Sequence, residues 1–174
     1  MEEEEIIQIK KNRDNKEYVL QAVSQKGKLL DYAVPELQDD EEVVKAALSN
    51  DGEALEFVSE RLKGNKDIVL LAIQKAPWTA CYASDILKDD KEVMLESVKT
   101  YGQSLYFASE RLRDDRDIVK EAIANKGIII KYASERLRDD KELAQIAIKQ
   151  NKESYYFVSE RLKQDEEIKE LWKG

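Results

Sequence analysis

The 174-residue sequence has no histidine, which removes the commonest general acid/base, the commonest metal ligand and the proton acceptor of ordinary serine and cysteine nucleophiles. A single cysteine, Cys81, cannot form an intramolecular disulfide, so stability has to come from packing, and a reducing compartment is expected. Only two prolines and six glycines interrupt the chain, which suggests helices joined by tight connections. No run approaches the roughly 18 apolar residues of a membrane span. The acidic start, Met1 to Glu5, lacks the basic and then apolar pattern of a secretory signal, so a cytoplasmic protein without membrane contact is expected. A basic excess is missing too: 37 acidic against 29 basic residues give a net charge of −8, which disfavours direct nucleic-acid binding. No glycine-rich phosphate loop is present. The expectation is a chain with no catalytic residues, no metal site and no cofactor, and therefore not an enzyme.

What the sequence does contain is a repeat. Steps of 25 residues from Asp14 align six blocks without a gap, at 14–38, 39–63, 64–88, 89–113, 114–138 and 139–163. Residues 1–13 and 164–174 flank them as expected N- and C-terminal capping segments. The fifth, sixth, ninth and tenth positions of each block are mostly apolar, as in Val43, Val44, Ala47 and Leu48 or Ile118, Val119, Ala122 and Ile123. That spacing makes one face of a helix. Asp39 with Glu42, and Asp139 with Glu142, have the three-residue spacing of a capping box at its start. Gly27, Gly52, Gly102 and Gly127 fall where a left-handed residue would end it. A second run reads Leu-x-Tyr-Ala-Ser-Glu-Arg-Leu. It places Leu30, Leu55, Leu105 and Ile130 on one face of a second helix with Leu37, Leu62, Leu112 and Leu137, and an aromatic residue recurs at Tyr32, Phe57, Tyr82, Phe107, Tyr132 and Phe157. The rings are expected between repeats, because an isolated 25-residue hairpin cannot bury them. The fold class is therefore all-α: an α-solenoid of six two-helix repeats with capping helices at both ends.

The recurring texts Asp-Asp-Lys-Glu-Val-Met-Leu-Glu-Ser-Val-Lys (89–99) and Leu-Tyr-Phe-Ala-Ser-Glu-Arg-Leu-Arg (105–113) resemble the family called domain of unknown function 4116. The resemblance runs through 14–163. It implies a helical repeat of bacterial, protist and viral proteins, and it brings no catalytic residue set with it.

Sites are sought where repeats differ outside the core. The acidic pairs Asp39/Asp40, Asp89/Asp90, Asp114/Asp115 and Asp139/Asp140 read as helix caps, with weak divalent-ion binding as the alternative. Ser-Glu-Arg-Leu recurs at 59–62, 109–112, 134–137 and 159–162, and such repetition points to inter-repeat work, so Arg111 and Arg136 are expected to pair with Asp114/Asp115 and Asp139/Asp140 at the next helix start. On the outward line of the second helix the second repeat carries only Glu53, Glu56 and Glu60. Later repeats place Trp78, Tyr106, Ile128 and Tyr156 there, with Tyr101 just before a turn glycine. Aromatic residues on a polar surface are interface anchors, so these five are the candidate partner-binding residues of a protein-interaction module. The alternative is that these rings pack between repeats. A second reading uses the charge of the second repeat, where eight acidic residues stand against three basic ones. Asp51, Glu53, Glu56 and Glu60 would then form an acidic face of a phage- or pathogen-derived inhibitor, docking on a basic, nucleic-acid-handling enzyme. The identity of the protein partner and the oligomeric state are not written in the sequence.

Overall fold

A computed structural model describes residues 2–174. The chain is about 80% helical, with no strand among the described residues. After a first helix, α1 (Glu2–Lys11), the six blocks repeat one plan of three pieces. A ten-residue α-helix comes first: Lys16–Gln25, Glu41–Asn50, Lys66–Lys75, Lys91–Thr100, Arg116–Asn125 and Lys141–Gln150. A six-residue 3-10 helix follows: Gly27–Tyr32, Gly52–Phe57, Pro77–Tyr82, Gly102–Phe107, Gly127–Tyr132 and Lys152–Phe157. A four-residue α-turn closes the repeat, from Pro35–Gln38 to Glu160–Lys163, and Glu166–Lys173 ends the chain as a lone long helix. The expected second helix is thus two short pieces. The junction residues, such as Ala108 at φ −63°, ψ 151° and Ser109 at φ −57°, ψ 161°, are extended, and the serine Oγ then caps the α-turn by accepting from the Leu112 N–H at 3.2 Å.

The chain forms two compact units, one ending at Leu87 and the other Lys88–Gly174. Within each, the long helices pack side by side in chain order and each 3-10 helix packs on the long helix of the following repeat. The stripe read from the sequence is the core: Val43, Val44, Ala47, Leu48, Ile118, Val119, Ala122 and Ile123 are fully buried. One position was missed. Leu29, Ala54, Ser104, Ile129 and Ser154 are buried as well, because a 3-10 helix has three residues per turn and turns inward a face that an α-helical count leaves at the rim.

Several local expectations are corrected. The helix caps are the second aspartates: Asp40 accepts from the N–H groups of Glu42 and Val43, and Asp90, Asp115, Asp140 and Asp165 act alike. The capping boxes of Asp39 with Glu42 and Asp139 with Glu142 therefore do not form. No residue among those described has a positive φ. The turn glycines are instead set by close approach, since a Cβ on Gly27, Gly52, Gly102 or Gly127 would strike the carbonyl oxygen of Ala47, Ala72, Ala122 or Ala147 in the next repeat. The arginines point backwards. Arg61, Arg111, Arg136 and Arg161 reach Asp39, Asp89, Asp114 and Asp139, the first residue of their own block, with Nε–Oδ1 distances of 2.9, 3.0, 3.0 and 3.0 Å. The same aspartates accept from the hydroxyls of Ser59, Ser109, Ser134 and Ser159. These hydroxyls first, and the guanidiniums second, hold the four carboxyls below the ordinary carboxylate value.

Candidate functional site

The 3-10 geometry decides what each repeat shows to solvent. With three residues per turn, Gly102, Leu105 and Ala108 fall on one buried edge, and Gln103 and Tyr106 on the opposite one. Tyr106 and Tyr156 stand at the same position of their repeats and are 57% and 60% exposed. The neighbouring rings Phe107, Tyr132 and Phe157, expected between repeats, are only half-buried. They form the flank of a surface stripe. Tyr106 meets Phe107 edge-on at 5.2 Å and Tyr132 of the next repeat at 5.0 Å. Lys131 holds its ammonium 4.8 Å from the Tyr132 ring and 5.9 Å from that of Phe157. At the end of the chain Tyr155 stacks on Trp172 at 4.4 Å, and Tyr156 meets Trp172 edge-on at 6.1 Å. The stripe Tyr106, Tyr132, Lys131, Phe157, Tyr156 and Trp172 lies wholly within the second unit.

Beside it runs a groove. One hollow of about 310 Å³ is lined by Glu110, Arg113, Tyr132, Ala133, Ser134, Glu135 and Arg138. The next, about 380 Å³, is lined by Glu135, Arg138, Tyr156, Phe157, Val158, Ser159, Glu160 and Lys163. The two are one repeat apart and share Glu135 and Arg138.

The remaining predicted residues lie elsewhere. Ile128 and Tyr101 belong to the second unit but are half-buried, Tyr101 at the junction where its N–H bonds the Ser97 carbonyl at 2.9 Å. Trp78 is 42% exposed on the first unit. Its side chain bonds the Glu53 carboxylate, which also pairs with Lys28, so the same position of three successive repeats forms a Lys28–Glu53–Trp78 line. The Lys28 ammonium first, with Trp78 adding to it, holds the Glu53 carboxyl below its ordinary value. The rest of the acidic candidate face is occupied too. Asp51 accepts from the Glu53 N–H and lies 4.0 Å from Lys28, Glu60 pairs with Lys63 at 2.9 Å, and Glu56 receives the Tyr82 hydroxyl. Burial, and then Glu56, push that phenol above its ordinary value.

Sequence reasoning missed Tyr132, Phe157 and Trp172 as surface residues, and Arg113 and Arg138 altogether. Ile86, a departure from the repeat pattern, is 82% exposed. Ile86 takes the place of the clamp arginine in the one block whose first residue is Gly64 instead of Asp, where both halves of the ion pair have been exchanged together. Among the described residues no group of three or more Cys, Asp or Glu side chains is placed to hold a metal ion, and no helix is long and apolar enough to cross a membrane.

The family model of the domain of unknown function DUF4116 matches the chain in five overlapping stretches, residues 15–63, 40–88, 65–113, 90–138 and 115–163. Each match spans two structural repeats and opens on the residue that caps a long helix. No curated protein and no solved structure matches the chain.

Proposed function

This chain belongs to the DUF4116 family, and from that premise we propose that it is a non-enzymatic protein-interaction module of the cytosol whose second unit binds a protein partner through the aromatic stripe. The observation that carries the reading is the pair of rings Tyr106 and Tyr156, more than half exposed and joined to Tyr132 and Trp172 by edge contacts on the same surface. Rings already ordered by neighbours lose little freedom on binding, and aromatic anchors of this kind concentrate binding energy. The acidic second repeat is the weaker candidate, since Glu53 and Glu60 already have cationic partners within the chain.

A photo-cross-linking amino acid placed at Tyr106 or Tyr156 in the native host tests the reading. The same adduct from both positions, and none from control positions Gln21 and Ser49 on the exposed sides of long helices, is the expected result. Adducts from the controls alone would contradict it. Salt separates the two readings: ring-anchored binding changes little from low to high ionic strength, whereas an acidic face loses affinity steeply.

A further inference from the structure

The groove beside the stripe is chemically unlike the corresponding surface at the end of the second unit. In the sixth repeat, Glu160 and Lys163 close on each other at 2.7 Å. In the fourth and fifth repeats the same two positions hold Glu110 with Arg113 and Glu135 with Arg138, and these do not pair. Neither arginine side chain makes an ion pair or hydrogen bond among the described residues, and the Nε of each is buried without a partner. The glutamates of these two pairs likewise have no side-chain partner. Other arginines of the second unit, Arg111, Arg116, Arg136 and Arg161, are all paired. Two half-buried guanidiniums and two carboxylates thus stand open along one groove, repeating with the fold and alternating in sign. A guanidinium already partly stripped of water has much to gain from an acceptor that enters beside it.

We propose that this groove takes the main chain of an extended peptide segment of the partner, its carbonyls received by Arg113 and Arg138, its N–H groups by Glu110 and Glu135, and an apolar side chain set into each hollow. The proposal rests on the stripe reading and deepens it by naming the class of partner. Three features favour such an occupant over a folded acidic or basic surface. The open groups are balanced in charge, as an amide backbone requires and a charged surface does not. They recur once per repeat, and each hollow is walled by Tyr132 or by Tyr156 with Phe157. The spacing is compatible as well: packed helices lie about 8–10 Å apart, and an extended chain in the polyproline II conformation advances about 3.1 Å per residue with three residues per turn, so every third side chain falls on one face about one repeat further on.

The test pans the full chain against a phage-displayed library of random twelve-residue peptides, then titrates a labelled synthetic copy of an enriched sequence. The expected outcome is enrichment of peptides with apolar residues three apart, and binding that survives a proline placed between those anchors, which a helical ligand would not tolerate. Arg113→Met with Arg138→Met, and separately Glu110→Gln with Glu135→Gln, should each weaken binding about tenfold or more while circular dichroism stays unchanged. Should one pair of substitutions disturb folding, the other decides. Absence of any enriched peptide, loss of binding on proline insertion, or unchanged affinity in both variants would overturn the proposal. Tyr106→Ala with Tyr156→Ala distinguishes the two levels: if it abolishes binding while the Arg and Glu variants do not, the stripe reading stands and the extended-peptide reading falls.

Discussion

A methyl group is the sharpest probe of how one residue is set by its neighbours here. Gly127 donates its N–H to the Gln150 Oε1 at 2.6 Å and faces the Ala147 carbonyl, so an added Cβ would have no room against backbone that cannot retreat. Gly127→Ala should destabilise the protein by about 1–3 kcal/mol, as over-packing does. Gly64 has its nearest heavy neighbour, the Arg61 carbonyl, at 3.3 Å and an ordinary helical backbone, so Gly64→Ala should change stability by no more than about 0.5 kcal/mol. Denaturant melts of the two variants check the contrast, and equal costs would contradict it. The sequence marked the turn glycines by their period, but not the reason for them. A recurring glycine reads the same whether it supplies a left-handed φ or an absent side chain, and only the carbonyl opposite, contributed by another repeat, tells the two apart. The same limit hid Arg113 and Arg138. They look like any basic residue after a leucine until the structure shows that Glu110 and Glu135 do not meet them.

At the scale of the element, the aspartate–serine–arginine clamp ties the short α-turn back to the start of its own repeat in four of the six repeats; the first has Val34 and Glu36 at the serine and arginine positions, and in the third Gly64 and Ile86 stand in place of both ends. Restoring both should therefore work where restoring one does not. In a double-mutant cycle, Gly64→Asp and Ile86→Arg are expected to show favourable coupling, with the double variant more stable than the two single changes predict by addition. Strict additivity, measured by thermal melts, would mean that the clamp contributes nothing measurable, as many exposed pairs do. The sequence read the outward residues Tyr106 and Tyr156 correctly for a reason that is partly accidental. A spacing of three lies on one face of an α-helix and of a 3-10 helix alike, so the assumed helix type did not matter at those positions. It mattered at Leu29, Ala54, Ser104, Ile129 and Ser154, which an α-helical count leaves at the rim and the tighter helix turns inward. The direction of Arg111 and Arg136 was likewise out of reach, because aspartates stand at both ends of the fourth and fifth repeats and spacing alone does not choose between them.

At the scale of the whole molecule, the four clamp aspartates make stability depend on acid. Their folded pKa values are depressed by the serine hydroxyls and then by the arginines, below the ordinary value of 3.8. As pH falls through and below that value, the unfolded chain takes up protons before the folded chain does. The contribution is therefore fully present above about pH 4 and is lost progressively below it. Asp89→Asn with Asp114→Asn and Asp139→Asn should lower stability at neutral pH and flatten its decline between about pH 4 and 2, as followed by urea melts across that range. Parallel pH profiles for the two proteins would contradict this. The period, the helical class and the buried stripe were legible across the molecule because each is written six times. The proposed binding surface was legible only where a repeat departs from its siblings on the outside. Its groove was not, since it consists of side chains that fail to pair.

Affinity set against stability, measured on the same variants, tests the central claim most directly. With a cross-linked partner purified, Tyr106→Ala and Tyr156→Ala should each cost more than about 1 kcal/mol of binding by calorimetry, with melting temperatures within about a degree of the parent. Trp78→Ala, on the other unit and engaged with Glu53, should leave affinity unchanged. If instead the tyrosine variants melt several degrees lower and bind the partner as tightly as the parent, the stripe is packing rather than a surface for recognition, and the account given for it is wrong.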